Sequence, residues 1–197
     1  MGSPTQDAVR ALFAESARAR EVFLAEGLDA FERAVDLVAG ALAAGAKVLL
    51  FGNGGSAADA QHLAAELVGR FRVERRALPA IALTTDTSAL TAIANDYGYD
   101  EVFARQVRAL ARPGDVALAI STSGRSPSVL RAVEACRALG VRTIGLTGGD
   151  GGALAGLVDV SLCVSASAHS ARIQETHILI GHALCELLDR RLFGAAS

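Results

Sequence analysis

The chain has 197 residues, of which 51% are hydrophobic and 20% are charged, with a formal net charge of -2 at pH 7. This composition is typical of one globular domain and excludes a disordered chain. A charge so close to zero excludes nucleic acid or an acidic membrane surface as the expected main partner, and no apolar run reaches the roughly 20 residues that span a bilayer.

The first predicted elements are two helices within about residues 5–44. Apolar residues recur at helical spacing on both sides of Gly27, which together with Asp29 predicts the end of one helix and the start of the next. We expect a single domain, in which this hairpin (residues 1–45) serves packing or oligomerisation and residues 46–197 form an α/β core.

From Lys47 onwards, five short apolar runs alternate with helical segments. The runs are VLLF (48–51), AIAL (80–83), VALAI (116–120), VRTIGLT (141–147) and VSLCV (160–164). Runs of this kind are typical of strands covered on both faces, and the long segments between most of them allow parallel crossovers. A last helix is predicted over about 171–193. The predicted fold is therefore an α/β three-layer sandwich of flavodoxin or Rossmann type, with a five-stranded, mostly parallel sheet and the N-terminal helical hairpin.

Two of the predicted strands end in polar loops, GNGGS (52–56) and STSGRS (121–126). Ligands of such sheets bind beyond the carboxyl ends of the strands. The first loop formally matches a dinucleotide fingerprint, but the acidic residue that binds ribose should follow about 20 residues later. The next strand ends only at Thr85 and Asp86, so we expect no nucleotide cofactor. A tight strand-to-helix turn that needs glycine is part of the explanation in any case.

The second loop suits a phosphate group. It offers four hydroxyl groups, Gly124 allows close approach of the backbone, and Ser126 and Pro127 predict the start of a helix whose N–H groups face the anion. A serine-rich helix cap would use the same residues. We favour phosphate binding because the loop shares a sheet edge with the glycine-rich turn.

His62 and Glu66 lie one helical turn apart and point the same way. On the last helix, Gln174 and His182 are eight residues apart and are able to face the same cavity. Three interpretations remain open from the residues alone: a solvated helical ion pair, a zinc site, or an acid–base pair that moves a proton between adjacent carbons of a sugar.

Four motifs occur together along nearly the whole chain: GNGGSAADAQHLAAELVGRF, IANDYG, ISTSGRS and RIQETHILIGHALCELL. In this order they resemble the sugar isomerase (SIS) domain family, and more closely its sedoheptulose 7-phosphate isomerases. The resemblance implies conversion of sedoheptulose 7-phosphate to D-glycero-D-manno-heptose 7-phosphate, the first step of nucleotide-activated heptose biosynthesis. Alternatives within the same fold are an isomerase of another phosphosugar and a non-catalytic SIS protein that binds a partner such as the replication initiator; the latter tends to lack the glutamate–histidine pair.

The resemblance also implies residue roles. Glu66 would be the base that moves a proton between C1 and C2 through an enediol(ate), and His182 the acid that helps to open the ring and protonates oxygen. The phosphate would be bound by Ser121, Thr122, Ser123 and Ser126. The rest of the sugar would contact Asn53, Gly54, Gly55, Ser56, Glu66, Arg70, Asn95, Asp96 and Gln174.

Members of the family carry one zinc ion per subunit, and the resemblance maps its ligands onto His62, Glu66, Gln174 and His182. It also implies a homotetramer with active sites at subunit contacts. The long last helix agrees, because apolar residues on several of its sides need more cover than one small sheet provides, although burial of this helix within a monomer would account for the same pattern.

Two further features are expected to be less specific. The arginine-rich segment 70–76 is predicted to be a solvated charged loop, with part of a substrate-facing rim as the alternative. Cys136, Cys163 and Cys185 are odd in number and widely spaced, so we expect reduced, mostly buried thiols. With no secretory leader in residues 1–7, a cytoplasmic protein is expected.

Overall fold

A computed structural model describes residues 2–194 and confirms the α/β fold. Within these residues the chain forms eight α-helices, one short 3-10 helix and five strands. In chain order they are α1 (Pro4–Glu26), α2 (Leu28–Ala43), β1 (Val48–Gly52), α3 (Gly55–Val68), β2 (Ala80–Ala82), α4 (Thr87–Tyr97), the 3-10 helix (Tyr99–Glu101), α5 (Val102–Leu110), β3 (Val116–Ile120), α6 (Pro127–Ala138), β4 (Arg142–Gly148), α7 (Gly152–Leu157), β5 (Val160–Val164) and α8 (Ser170–Phe193).

The strands pair in the order β2-β1-β3-β4-β5, and each of the four pairings is parallel. The described sheet is thus parallel throughout, where a mostly parallel one was expected. The strand order reverses at β1, with β2 on one side and β3 on the other, and such a switch point is where ligands bind in this class of sheet. The last residues of β1 and β3, Gly52 and Ile120, are register partners. The two polar loops that follow these strands therefore start side by side.

The sheet is covered on both faces, as the continuous apolar runs predict. Successive side chains of β1 alternate between two hydrophobic clusters. Leu50 packs in the cluster that contains α2, α3 and α8, whereas Leu49 and Phe51 pack in the cluster of α5 and α6. These clusters form the three-layer arrangement and hold α3 and α8 on the same side of the sheet.

The N-terminal hairpin is also confirmed, with Gly27 between its helices. The Gly27 N–H donates to Phe23 O and its carbonyl accepts from Phe31 N, so one residue ends α1 and begins α2. Helix α1 buries only Ser16, Ala19 and Phe23 in the described structure. None of the helices within residues 2–194 is both long and apolar enough to cross a membrane.

Candidate active site

The glycine-rich turn after β1 is shaped by contacts that exclude side chains. A Cβ atom on Gly52 would lie 2.7 Å from Ile120 O, and Gly54 has a positive φ of 57°. The Asn53 side chain is held on both sides, since its Nδ2 donates to Ser128 Oγ (3.1 Å) and its Oδ1 accepts from Tyr99 OH (2.8 Å). The turn therefore presents Gly54 and Gly55 to solvent at the start of α3, while Ser56 is buried.

The loop after β3 has the form expected of a phosphate site. Gly124 has a φ of 62°, and a Cβ atom there would lie 1.9 Å from Gly151 O, so only glycine fits. Ser121 Oγ donates to Ser126 Oγ at 3.2 Å, and Ser123 Oγ accepts from Arg125 N at 3.2 Å. Ser126 is the N-cap of α6, yet its side chain makes no capping hydrogen bond within residues 2–194. The hydroxyl group is thus not used as a cap, and the exposed start of a 12-residue helix favours an anion.

His62, Glu66 and His182 form a compact cluster between α3 and α8. His62 Nε2 lies 2.8 Å from His182 Nε2 and 3.4 Å from Glu66 Oε1. A hydrogen bond between two imidazole nitrogens requires one nitrogen to donate and the other to accept, so one of these two Nε2 atoms carries no proton. The cluster shows that α3 and α8 converge at these residues. A solvated ion pair between His62 and Glu66 alone would not involve His182.

The close approach of α8 to α3 depends on Gly181, the residue before His182. A Cβ atom at this position would lie 2.6 Å from both Cδ atoms of Leu63. Leu63 in turn follows His62. The absence of a side chain at Gly181 therefore brings the two histidines within hydrogen-bond distance.

Helix α8 passes the three parts of the site in order. Ser170 Oγ lies 3.5 Å from Thr122 Oγ1 in the predicted phosphate loop (residues 121–126). One turn later, Gln174 packs against the glycine-rich turn, because a Cβ on Gly55 would lie 2.6 Å from Gln174 Nε2. His182 follows about 12 Å further along the helix axis. The phosphate loop, glycine-rich turn and His/Glu cluster are therefore contacted by one continuous helix.

Known proteins share both the sequence and the fold. The family model for the SIS domain matches residues 12–148. A phosphoheptose isomerase from Geotalea daltonii is 62% identical over 160 residues, which are 81% of this chain and 83% of the relative. Solved phosphoheptose isomerases from Neisseria gonorrhoeae (49% identical, TM-score 0.89) and Francisella tularensis (41% identical, TM-score 0.90) each cover 94% of this chain and are themselves covered to 98%. The chain belongs to the phosphoheptose isomerase family.

Three of the zinc ligands that the family resemblance implies are grouped here. Ligand atoms of His62, Glu66 and His182 all lie within 4.8 Å of one another. Zinc bonds of about 2.0–2.2 Å place tetrahedral ligands about 3.3–3.6 Å apart. The 3.4 Å between His62 and Glu66 is within this range, whereas the 2.8 Å between the two imidazole nitrogens is a hydrogen-bond distance. Two imidazole groups and one carboxylate are ligand types that zinc binds in proteins. The donor set therefore fits a zinc ion, and the place of Gln174 among its ligands stays a prediction.

Burial raises the pKa of the Asp59 carboxyl group, and electrostatic interaction with the nearby His62 and His182 opposes this rise. Asp59 lies one helical turn before His62 on α3 and thus adds a carboxylate beside the His/Glu cluster. Asp59 was not expected from the sequence. The i, i+3 spacing to His62 was a signal in the sequence, but it does not show that the carboxyl group is buried.

Three predicted sugar contacts are not joined to the cluster by the described hydrogen bonds. Asn95 and Asp96 are exposed near the end of α4 and bond each other (Nδ2 to Oδ1, 2.8 Å). Tyr99, three residues later, connects this segment to Asn53 and was not expected from the sequence. Arg70 is exposed and pairs with Glu74 at 3.6 Å. The substrate roles of Asn95, Asp96 and Arg70 stay predictions.

The prediction that the loop after α3 is solvated is wrong for one of its arginines. The Arg75 side chain is only 1% exposed and pairs with Asp189 at 2.6 Å, because it is enclosed between the loop and α8. Arg70, Arg72 and Glu74 are exposed as predicted. The cysteine prediction is confirmed, since all three are free, with Cys136 and Cys185 buried.

Proposed function

We propose that the chain converts sedoheptulose 7-phosphate to D-glycero-D-manno-heptose 7-phosphate, the first step of nucleotide-activated heptose biosynthesis. Membership of the phosphoheptose isomerase family supports this substrate. The observation that carries the proposal is the path of α8. This helix contacts the phosphate loop through Ser170 and the glycine-rich turn through Gln174. Its His182 contacts His62, which lies one turn before Glu66 on α3. A phosphate-binding end and an acid–base end thus belong to the same helix.

The residues divide the reaction between them. Hydroxyl groups of Ser121, Thr122, Ser123 and Ser126, with the N-terminus of α6, bind the 7-phosphate. Glu66 takes the proton from C1, the carbon next to the C2 carbonyl group, and returns it to C2 through an enediol(ate), while the C1 oxygen loses a proton and the C2 oxygen gains one. His182 donates a proton to oxygen during ring opening and reprotonation. The glycine-rich turn and Gln174 orient the hydroxyl groups of the sugar.

His62, Glu66, Gln174 and His182 would hold a zinc ion, which when bound supplies Lewis-acid polarisation of a sugar oxygen. Glu66 is then both a zinc ligand and a base. The proton transfer described above requires one of its carboxylate oxygens to reach the sugar carbon.

Glu66→Gln tests this assignment most directly. Glutamine keeps the size of the side chain but is not a base, so we expect turnover to fall by about 10²–10⁴-fold, while substrate still binds. The assay follows loss of a C1 hydrogen label from sedoheptulose 7-phosphate to water. Glu134→Gln, an exposed change on α6, is the matched control and should retain wild-type turnover. Equal rates for both variants would remove Glu66 as the base, whereas a wild type without turnover would favour a binding protein instead.

We infer further that the protein is a cytoplasmic homotetramer whose sites lie at subunit contacts. Exposed apolar side chains on α1, α2 and α8 support self-association, and Phe13 is the most exposed of them at 75%. The free state of all three cysteines suits a reducing compartment. We propose that residues 1–45 serve this assembly beside the catalytic core of residues 46–197.

A further inference from the structure

The loop between α3 and β2 (residues 69–79, the return loop) holds a buried ion pair. Arg75 Nε lies 2.6 Å from Asp189 Oδ1, and the two side chains are 1% and 3% exposed. Buried ion pairs are tolerated when further hydrogen bonds satisfy both charges. This condition is met, since Asp189 Oδ2 also accepts from Arg72 N at 3.2 Å. The return loop is therefore anchored to α8 at Asp189.

The same guanidinium group also binds the end of α3. Arg75 Nη2 donates to Glu66 O at 2.8 Å, and Nη1 donates to Leu67 O at 3.0 Å. Carbonyl groups in the last turn of a helix have no partner within the helix, and here Arg75 supplies one. Arg75 thus links the end of the helix that carries His62 and Glu66 to the helix that carries His182.

The anchored return loop places Phe71 against His182. The two rings are stacked, with centroids 5.6 Å apart and planes inclined by 21°. His62 meets the same imidazole edge to face, with centroids 5.0 Å apart and an angle of 72°. His182 and Asp189 are seven residues apart, or two turns, and share one face of α8. One loop therefore contacts both the functional histidine and the anchor beneath it.

We propose that Phe71 is a positioning residue for His182, whose imidazole plane it fixes so that Nε2 faces His62 and the reacting oxygen. This rests on the proposed function for its effect on turnover. Leucine at this position would keep apolar contact with the core but would lack the flat surface that limits rotation of the imidazole. Tyrosine would keep the flat surface.

The test compares Phe71→Leu and Phe71→Tyr with Glu134→Gln, an exposed change on α6. We expect Phe71→Leu to lower kcat about tenfold or more, since small misplacements of catalytic groups are costly, with KM within about twofold of wild type. Phe71→Tyr and Glu134→Gln should retain kcat, and melting temperatures should show that each variant is folded.

Histidine-ring NMR supplies a readout that needs no turnover. In the wild type, the Phe71 ring current should shift the His182 ring protons, assigned by comparison with His182→Gln, and Phe71→Leu should abolish that shift. Wild-type kcat in Phe71→Leu, a change in KM alone, or His182 signals that do not move would each overturn the proposal. If the wild type fails to convert sedoheptulose 7-phosphate, the proposed function fails, while the NMR comparison still decides whether Phe71 orients His182.

Discussion

His177 is a histidine with a role separate from the His/Glu cluster. It is fully buried on α8, and its Nε2 lies 2.9 Å from Thr147 O near the end of β4. A carbonyl oxygen only accepts, so Nε2 carries the proton. Its Nδ1 has no hydrogen-bond partner within residues 2–194. Burial lowers the pKa of His177 to about 4, although the bond to Thr147 O opposes this. The ring is therefore neutral at neutral pH and fastens α8 to the sheet.

This state predicts a loss of stability in acid. The folded pKa of about 4 is below the usual value of 6.5, so the unfolded chain binds a proton first as the pH falls. Stability contributed by the neutral ring is complete above pH 6.5 and declines towards pH 4. The decline should amount to about 2 kcal/mol between pH 6.5 and 4.5. Urea unfolding at both pH values measures it, and His177→Gln should lose less stability than the wild type over this interval. Equal losses would contradict the depressed pKa.

Residues whose partners are local in sequence were predictable, whereas residues with distant partners were not. The i, i+4 spacing of His62 and Glu66 predicts a shared helix face without knowledge of the fold. Phe71 is preceded and followed by arginines, and this pattern is typical of an exposed loop. Its stacking on His182 depends on the packing of segments more than 100 residues apart. The burial of Arg75 has the same origin.

At the scale of elements, the apolar runs predicted each strand to within one residue at either end. This succeeded because both faces of the sheet are covered, so no polar residue interrupts the strands. Strand order was not predictable from these runs, because parallel neighbours are set by how the crossover helices pack. The separation of α3 and α8 likewise depends on Gly181, which occurs within a helical pattern that gives no sign of a close contact.

Gly181→Ala should push these two helices apart. The added methyl group would meet Leu63, and overpacking of this kind costs about 1–3 kcal/mol of unfolding free energy. Turnover should fall as well, because His182 moves with the backbone of α8. Gly40→Ala on α2 is the matched control: nothing lies within 4 Å of its added Cβ, and alanine in a helix stabilises by about 0.5–1 kcal/mol relative to glycine. Urea unfolding and the isomerase assay compare the two. An unchanged or more stable Gly181→Ala variant would contradict the close approach.

The whole molecule has an apolar face that this chain alone leaves uncovered. A groove of about 120 Å³ lies between α1, α2 and α8, and its lining includes Leu24, Leu28 and Leu179 but none of the candidate site residues. These three leucines are 47–56% exposed. Contiguous exposed apolar surface of this kind marks association sites. Because the groove shares α8 with the site, association there would hold the helix that carries Gln174 and His182.

Leu24→Glu should therefore weaken assembly, since a buried carboxylate without a partner opposes association. We expect the wild type to sediment as a tetramer and the variant as smaller species, with kcat falling in parallel if sites are completed at subunit contacts. Leu110→Glu provides the control, because Leu110 is 40% exposed on α5, a helix that packs on the opposite face of the sheet. That variant should remain tetrameric and active. Analytical ultracentrifugation at several protein concentrations measures the assembly state of both variants, and the isomerase assay measures their kcat. A monomeric wild type with full activity would show that one chain forms a complete site.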